Sequence, residues 1–315
     1  MRTSRSVETV PDPPSGANMS DLGYDGKVAI ITGAGGGLGR QHALLLAGRG
    51  ALVVVNDLGG SIDGTGESTS AAERVVEEIR AAGGEAVADH NSVATPEGGA
   101  AIVQTAVDSF GRVDIVVNNA GILRDKSFNN MGPDLLGPVL DVHLAGAFYV
   151  TQPAWLHMRE QGYGRIVSTS SAAGIFGNFG QTNYGAAKMG LVGFTRVLAV
   201  EGAKYGIKAN AIAPLALTRM TEDILGGLGD RLDPALVSPL VAFLTHEECP
   251  VSGQVFSVGG GRVAQVFIGE TKGYWKADLA PEDLRDNWDT VTDQTGYSVP
   301  ANLGEETALF LPFFK

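Results

Sequence analysis

The chain has 315 residues, 44% of them hydrophobic, which is enough for one large α/β core. Its formal net charge of −12 argues against nucleic acid and against an anionic membrane surface as partners, because both are gripped through basic patches. The lone cysteine, Cys249, can close no intrachain disulfide, and no apolar run approaches the ~20 residues of a membrane span.

Residues 1–24 are polar and hold Pro11, Pro13 and Pro14, so a flexible N-terminal arm is expected there. Residues 27–32 (KVAIIT) form an apolar β-type run that flows into a turn holding Gly33, Gly37, Leu38 and Gly39, followed by a helical pattern over 40–50. Strand, glycine turn and helix in that order open a dinucleotide-binding unit. The glycines let the backbone approach a pyrophosphate, and the helix start offers it free N–H groups and the positive end of a dipole. A second strand over 51–56 ends at Asp57. A carboxylate there suits the ribose hydroxyls and repels a 2′-phosphate, so NAD is expected in preference to NADP. The plainer reading is that Asp57 only caps a turn before Gly59 and Gly60. The glycine-rich loop over 58–70 has an acidic spacing that does not fit a calcium loop, so no metal is expected.

A helix is predicted over 71–82, a strand over 85–89, a helix over 96–110 and a strand over 113–117. Ser92 and Val93, just past the third strand, are expected beside the adenine, with Asp89 and His90 as loop surface. Asn118, Asn119, Ala120 and Gly121 follow the fourth strand at the end where such sheets bind ligands. A long helix is predicted over 133–158, bent near Gly137-Pro138 and at Pro153.

The fifth strand, over 165–170, is followed by Ser171, and a helix from Tyr184 to about Tyr205 comes next. Tyr184 and Lys188 lie four residues apart and so share one helix face. Many such pairs are only surface residues, but here the pairing has a chemical use. A phenol titrates near ~10, and bringing it to about 7 takes about 4 kcal/mol, which an ammonium and a cationic nicotinamide can supply. Tyr184 is therefore the candidate base, Lys188 its partner, and Ser171 the hydroxyl that meets the substrate oxygen. Residues 207–212 read as a sixth strand, 221–236 as an irregular substrate lid, 238–244 as a helix and 254–258 as a seventh strand. Past Gly261 a short strand over 263–268 and an acidic helix over 281–291 are expected. The aromatic ending over 309–314 is expected to pack on the core or on a second subunit.

Together these marks resemble the short-chain dehydrogenase/reductase family over roughly residues 24–262. The resemblance implies a Rossmann-type doubly wound parallel sheet of about seven strands, with a dehydrogenase domain over 25–262 and an extension over 263–315. The stretches NDLGG at 56–60, NNAGILRD at 118–125, DVHL at 141–144 and GNFGQTNY at 177–184 are similar, more narrowly, to (3R)-hydroxyacyl-CoA dehydrogenase domains of peroxisomal multifunctional enzymes. That implies oxidation of a 3-hydroxyacyl thioester by NAD, with an acyl-CoA as substrate. A steroid alcohol or ketone, or an acyl-carrier-protein thioester, would suit the same machinery, and a dinucleotide-sensing regulatory protein is the non-enzymatic alternative. Most family members carry asparagine where His143 stands, so the resemblance gives His143 the positioning role, and it makes Thr218 a candidate contact for the nicotinamide carboxamide. Leu215 replaces the glycine that usually follows Pro214. Relatives pair as homodimers or homotetramers, and Gly185, Ala186, Gly190 and Gly193 would form a small-residue face for that contact. The absence of an apolar leader and of a Ser-Lys-Leu ending leads to the expectation of a cytoplasmic protein.

Overall fold

A computed structural model describes residues 21–66, 68–218 and 231–314. Eight strands form one sheet in the order β3-β2-β1-β4-β5-β6-β7-β8. They are β1 (Val28–Thr32), β2 (Leu52–Asn56), β3 (Glu85–Asp89), β4 (Ile115–Asn118), β5 (Gly164–Thr169), β6 (Ile207–Pro214), β7 (Val255–Gly259) and β8 (Arg262–Val266). The first seven run parallel. Strands β1, β4 and β5 are buried along their whole length, as parallel strands covered on both faces must be.

Alternate residues of each strand feed different layers. Ala29, Ile31, Val53 and Val55 pack in one core cluster, while Val28, Ile30 and Val54 pack in another. The first layer holds helices α1 (Gly37–Ala47), α2 (Ser70–Ala81) and α8 (Ser238–Thr245). The second holds α3 (Pro96–Phe110) and α5 (Gly146–Gln161). Chain order reverses between β1 and β4, so the sheet parts at their C-terminal ends and leaves a crevice there.

The structure departs from the sequence reading at several points. The short strand expected over 263–268 is present as β8, but it joins the main sheet as an eighth strand, antiparallel to β7 through a two-residue turn, where about seven were expected. Gly260 and Gly261 both have positive φ, +57° and +80°, as a tight hairpin of this kind requires. The boundary drawn at 262 therefore falls inside a hairpin. The long helix predicted over 133–158 is α4 (Pro133–Leu140), a π-helical turn (Asp141–Ala145) and α5. The acidic helix over 281–291 is two short ones, α9 (Pro281–Asp286) and α10 (Trp288–Val291), parted at Asn287. Asp89 is not loop surface: it is buried and accepts hydrogen bonds from Asn56 Nδ2 (2.7 Å), Thr105 Oγ1 (2.6 Å) and Asn91 Nδ2 (2.8 Å). Tyr24, assigned to the arm, is buried against α8 with its hydroxyl on the Ala242 carbonyl and 3.1 Å from Thr245 Oγ1. The rest of the arm, 1–20, lies outside the described residues.

The proposed small-residue face does not open as one surface. It lies on α7 (Thr182–Gly202). A Cβ at Gly190 would come 2.9 Å from Leu144, and one at Gly185 would come 3.4 Å from the Ala173 carbonyl oxygen, so both face the chain's own interior. Ala186 is exposed, and nothing approaches Gly193 within 4 Å. The C-terminal segment adds α11 (Leu303–Ala308) and a 3-10 turn (Leu311–Phe314). Phe313 stacks on Trp275 of the same extension at 5.8 Å, rather than on the sheet's core. Among the described residues no helix is long and apolar enough to cross a membrane.

Candidate active site

The crevice is a cavity of about 500 Å³, within the range of cofactor and ligand sites. Of the residues singled out in the sequence, Gly33, Gly37, Leu38, Asp57, Ser92, Val93, Asn119, Ala120, Gly121, His143, Ser171, Tyr184, Lys188 and Thr218 all line it. Gly39 stands behind the wall. A Cβ on it would run into the Gly33 carbonyl oxygen and come 2.6 Å from Asn119 Nδ2, so only glycine fits. Gly33 has φ +64°, and a Cβ there would lie 2.8 Å from Ala120 Cα.

One end of the cavity is built from the turn between β1 and α1. No acidic residue stands in the first turn of α1, whose N-cap is Gly36, so its amide dipoles present positive potential to the cavity. Thr32 and Asn119 hold this turn against the end of β4. Thr32 Oγ1 accepts from the backbone N–H groups of Asn119 and Ala120, both at 3.0 Å. Asn119 Nδ2 donates to the carbonyls of Thr32 (2.9 Å) and Gly33 (3.1 Å). Asn119 thus shapes the wall with its side chain rather than offering that amide to a ligand. Asp57 accepts from Gly35 N–H (2.8 Å) through one carboxylate oxygen and from Gly59 N–H (2.7 Å) through the other. The turn-capping role and the cavity position hold together: each oxygen keeps lone-pair capacity toward the cavity.

These features fit a nicotinamide dinucleotide. The glycine turn leaves room for backbone approach, the helix start faces the cavity, and the Asp57 carboxylate, an acceptor suited to ribose hydroxyls, lines it.

The other end gathers the polar side chains. Ser171 N-caps the short helix α6 (Ala172–Phe176), accepting from Ala173 N–H at 3.1 Å, and also hydrogen-bonds the Tyr184 hydroxyl. Lys188 is buried, with Nζ donating to the Thr169 carbonyl at 2.5 Å and lying 5.4 Å from the centre of the Tyr184 ring. The His143 ring packs edge-on to Tyr184 at 5.2 Å. His143 sits on the π-helical turn, a local distortion found often at functional sites. Its Nε2 is 3.0 Å from Ile122 N and 2.8 Å from Ile122 O, so the ring holds that peptide in either tautomer. Gly121 makes room for it, since a Cβ there would strike the ring.

Burial adds a contribution to the electrostatics that the sequence reading did not include. Burial raises the Tyr184 phenol above its ordinary value, and the hydrogen bond from Ser171 only opposes this. Burial also lowers Lys188 from 10.5 to about 7, and it drives His143 well below its ordinary value, with the Lys188 charge adding to the effect. The chain alone therefore does not make an acidic phenol. A positive charge brought into the cavity would act in the opposite direction, favouring the phenolate.

Two residues that the sequence reading held only within longer stretches, with no role assigned, hold this end together. Asn183 is buried, its Nδ2 donating to the carbonyls of Arg124 and Leu135, both at 2.9 Å, while its Oδ1 accepts from Tyr184 N–H at 2.7 Å. Its signals were its place in the GNFGQTNY stretch and an amide side chain at a helix start. Arg124 donates from Nε to the Asp63 carbonyl and from Nη1 to the Asp134 carbonyl, both at 2.9 Å. Of the predicted lid, residues 219–230 lie outside the described residues, and the Leu232 carbonyl accepts from Leu217 N–H at 2.7 Å.

A doubly wound sheet with a glycine turn and a polar triad across its crevice defines an α/β oxidoreductase scaffold of the dinucleotide-binding kind. The family model for short chain dehydrogenases matches residues 27–225, and the chain belongs to that family. It is therefore an oxidoreductase acting on CH–OH groups of small molecules, with a nicotinamide coenzyme. It is 52% identical over 279 residues to a short-chain type dehydrogenase/reductase of Mycobacterium tuberculosis, covering 88% of this chain and 98% of that one. A hydroxyacyl-CoA dehydrogenase of the same organism is 41% identical over 300 residues, covering 89% and 91%. Full-length peroxisomal multifunctional enzyme type 2 of Drosophila melanogaster superposes with a TM-score of 0.78 at 41% identity, covering 93% of this chain but only 50% of that one.

Proposed function

We propose that the chain is an NAD-dependent dehydrogenase that oxidises (3R)-hydroxyacyl-CoA to 3-oxoacyl-CoA. The observation that carries the reading is the gathering of Ser171, Tyr184 and Lys188 on one wall of the cavity whose other end is closed by the glycine turn and Asp57. The substrate class is supported by the relative named a hydroxyacyl-CoA dehydrogenase and by the likeness to multifunctional enzyme type 2. Because the chain spans half of that enzyme, only this one step is proposed for it.

The bound nicotinamide supplies a hydride acceptor and a positive charge. Ser171 orients the substrate hydroxyl, and Tyr184, as phenolate, takes its proton while the carbon gives up hydride and becomes a ketone carbon. Lys188 would hold the coenzyme's ribose hydroxyls and, protonated, stabilises the phenolate that burial alone disfavours. His143 stays neutral and fixes the Ile122 peptide beside the reacting centre. Asp57 sets the preference for NAD by repelling a 2′-phosphate. A homo-oligomer is part of the proposal, supported by the exposed apolar residues Phe148 and Leu156 on α5 and Val197 and Val200 on α7.

Initial rates with NAD and NADP against a panel of 3-hydroxyacyl-CoA esters of both hands and hydroxysteroids test the reading. The expected result is NAD-linked turnover of the 3R esters. Turnover of steroids alone, or a preference for NADP, would overturn it.

A further inference from the structure

The 58–66 loop follows Asp57 and crosses the mouth of the cavity. Gly60, Ser61, Ile62 and Gly64 face into the cavity with Asp57 and Arg124. Its base is pinched shut, Ser68 N–H donating to the Leu58 carbonyl at 3.1 Å. Its tip is a self-bonded turn in which Asp63 Oδ1 accepts from Ser61 Oγ (2.6 Å), Thr65 Oγ1 (2.8 Å) and Thr65 N–H (3.0 Å). A loop with close ends and its own internal bonds is a compact Ω-type unit that can move as a body. It is joined to the far bank of the cavity at few points. Leu123 N–H donates to the Ile62 carbonyl at 2.9 Å, Gly64 lies over the Ile122 side chain, and Arg124 Nε donates to the Asp63 carbonyl.

Arg124 does more than close the strap. Its Nη1 holds the Asp134 carbonyl at the start of α4, and its own carbonyl accepts from Asn183 Nδ2, whose Oδ1 in turn holds Tyr184 N–H. A rigid planar fork is needed to serve two carbonyls on different elements; an ammonium on a flexible stem is not equivalent. We propose that Arg124 is a positioning residue that latches the 58–66 loop over the coenzyme end of the cavity and ties that closure to the N-terminus of the helix bearing Tyr184. Coenzyme leaves only when the latch opens, and the Arg124 backbone carbonyl, through Asn183, adjoins the Tyr184 turn. The inference rests on the coenzyme reading above.

The test uses the full chain with Arg124→Ala and Arg124→Lys. NADH release is followed by stopped-flow fluorescence, and KM for coenzyme, KM for substrate and kcat are measured separately. The expected result is release about tenfold faster and coenzyme KM about tenfold higher in Arg124→Ala, with substrate KM nearly unchanged and little rescue by lysine. A merely structural residue would lower the active fraction without moving release or KM. Unchanged release in a folded variant overturns the latch. If the alanine variant does not fold, Arg124→Lys carries the same two readouts, and wild-type release and KM there overturn the proposal. Failure of the wild-type chain to bind NADH would instead overturn the coenzyme reading.

Discussion

Replacing Lys188 by methionine should destroy turnover and yet stabilise the fold near neutral pH. The ammonium is fully enclosed, and burial lowers its pKa from 10.5 to about 7. At ~1.4 kcal/mol per pH unit, that displacement corresponds to roughly 5 kcal/mol lost by keeping the charge inside. Methionine removes that cost but also removes the hydrogen bond to the Thr169 carbonyl, worth about 1–3 kcal/mol with its acceptor left unpaired. The net expectation is a gain of about 2–4 kcal/mol in unfolding free energy at pH 6. Between pH 7 and 10.5 the unfolded lysine carries a proton that the folded one has released, so wild-type stability rises with pH while the variant lacks this term. The difference between the two should shrink by about 1.4 kcal/mol per pH unit above 7. Urea unfolding of both proteins between pH 6 and 9.5 measures it. A variant less stable than wild type at pH 6, or a difference that does not change with pH, would refute the reasoning.

Gly39→Ala places a methyl against the Gly33 carbonyl and Asn119 Nδ2, so calorimetric titration should show coenzyme affinity falling at least tenfold with about 1–3 kcal/mol lost in stability. Asp57→Asn removes the repulsion of a 2′-phosphate, and the ratio of kcat/KM for NAD over NADP should fall by at least tenfold. Burial and the Lys188 charge hold His143 well below its ordinary value, so the pH–rate profile should lack the limb that an ordinary imidazole gives. His143→Asn, whose amide can meet both the N–H and the carbonyl of Ile122, should keep activity within about tenfold, while His143→Ala should lose more.

Much of the site was legible because it is local. The glycine turn, the Asn118–Gly121 tetrapeptide and the Tyr184–Lys188 pair each lie within one turn or one helix face, and parallel topology carries them to a common crevice. Asp89 was misread because its burial comes from partners 16 and 33 residues away, which no local pattern displays. The roles of Arg124 and Asn183 were equally hidden, being hydrogen bonds to backbone carbonyls of other elements. The π-helical turn at His143 follows from a continuous apolar pattern that also fits an α-helix. The phenol's acidity was attributed to its lysine neighbour and a cationic nicotinamide; spacing shows the neighbour but not the burial that acts on both groups.

The most direct measurement of the central claim is a paired titration and turnover assay of Tyr184→Phe. Removing one hydroxyl leaves the glycine turn, Asp57 and Lys188 in place, so NADH should bind within about threefold of wild type. Oxidation of a 3-hydroxyacyl-CoA should fall by about a thousandfold or more, since the hydroxyl assigned to take the proton is gone. Turnover within tenfold of wild type, with binding intact, would contradict the account.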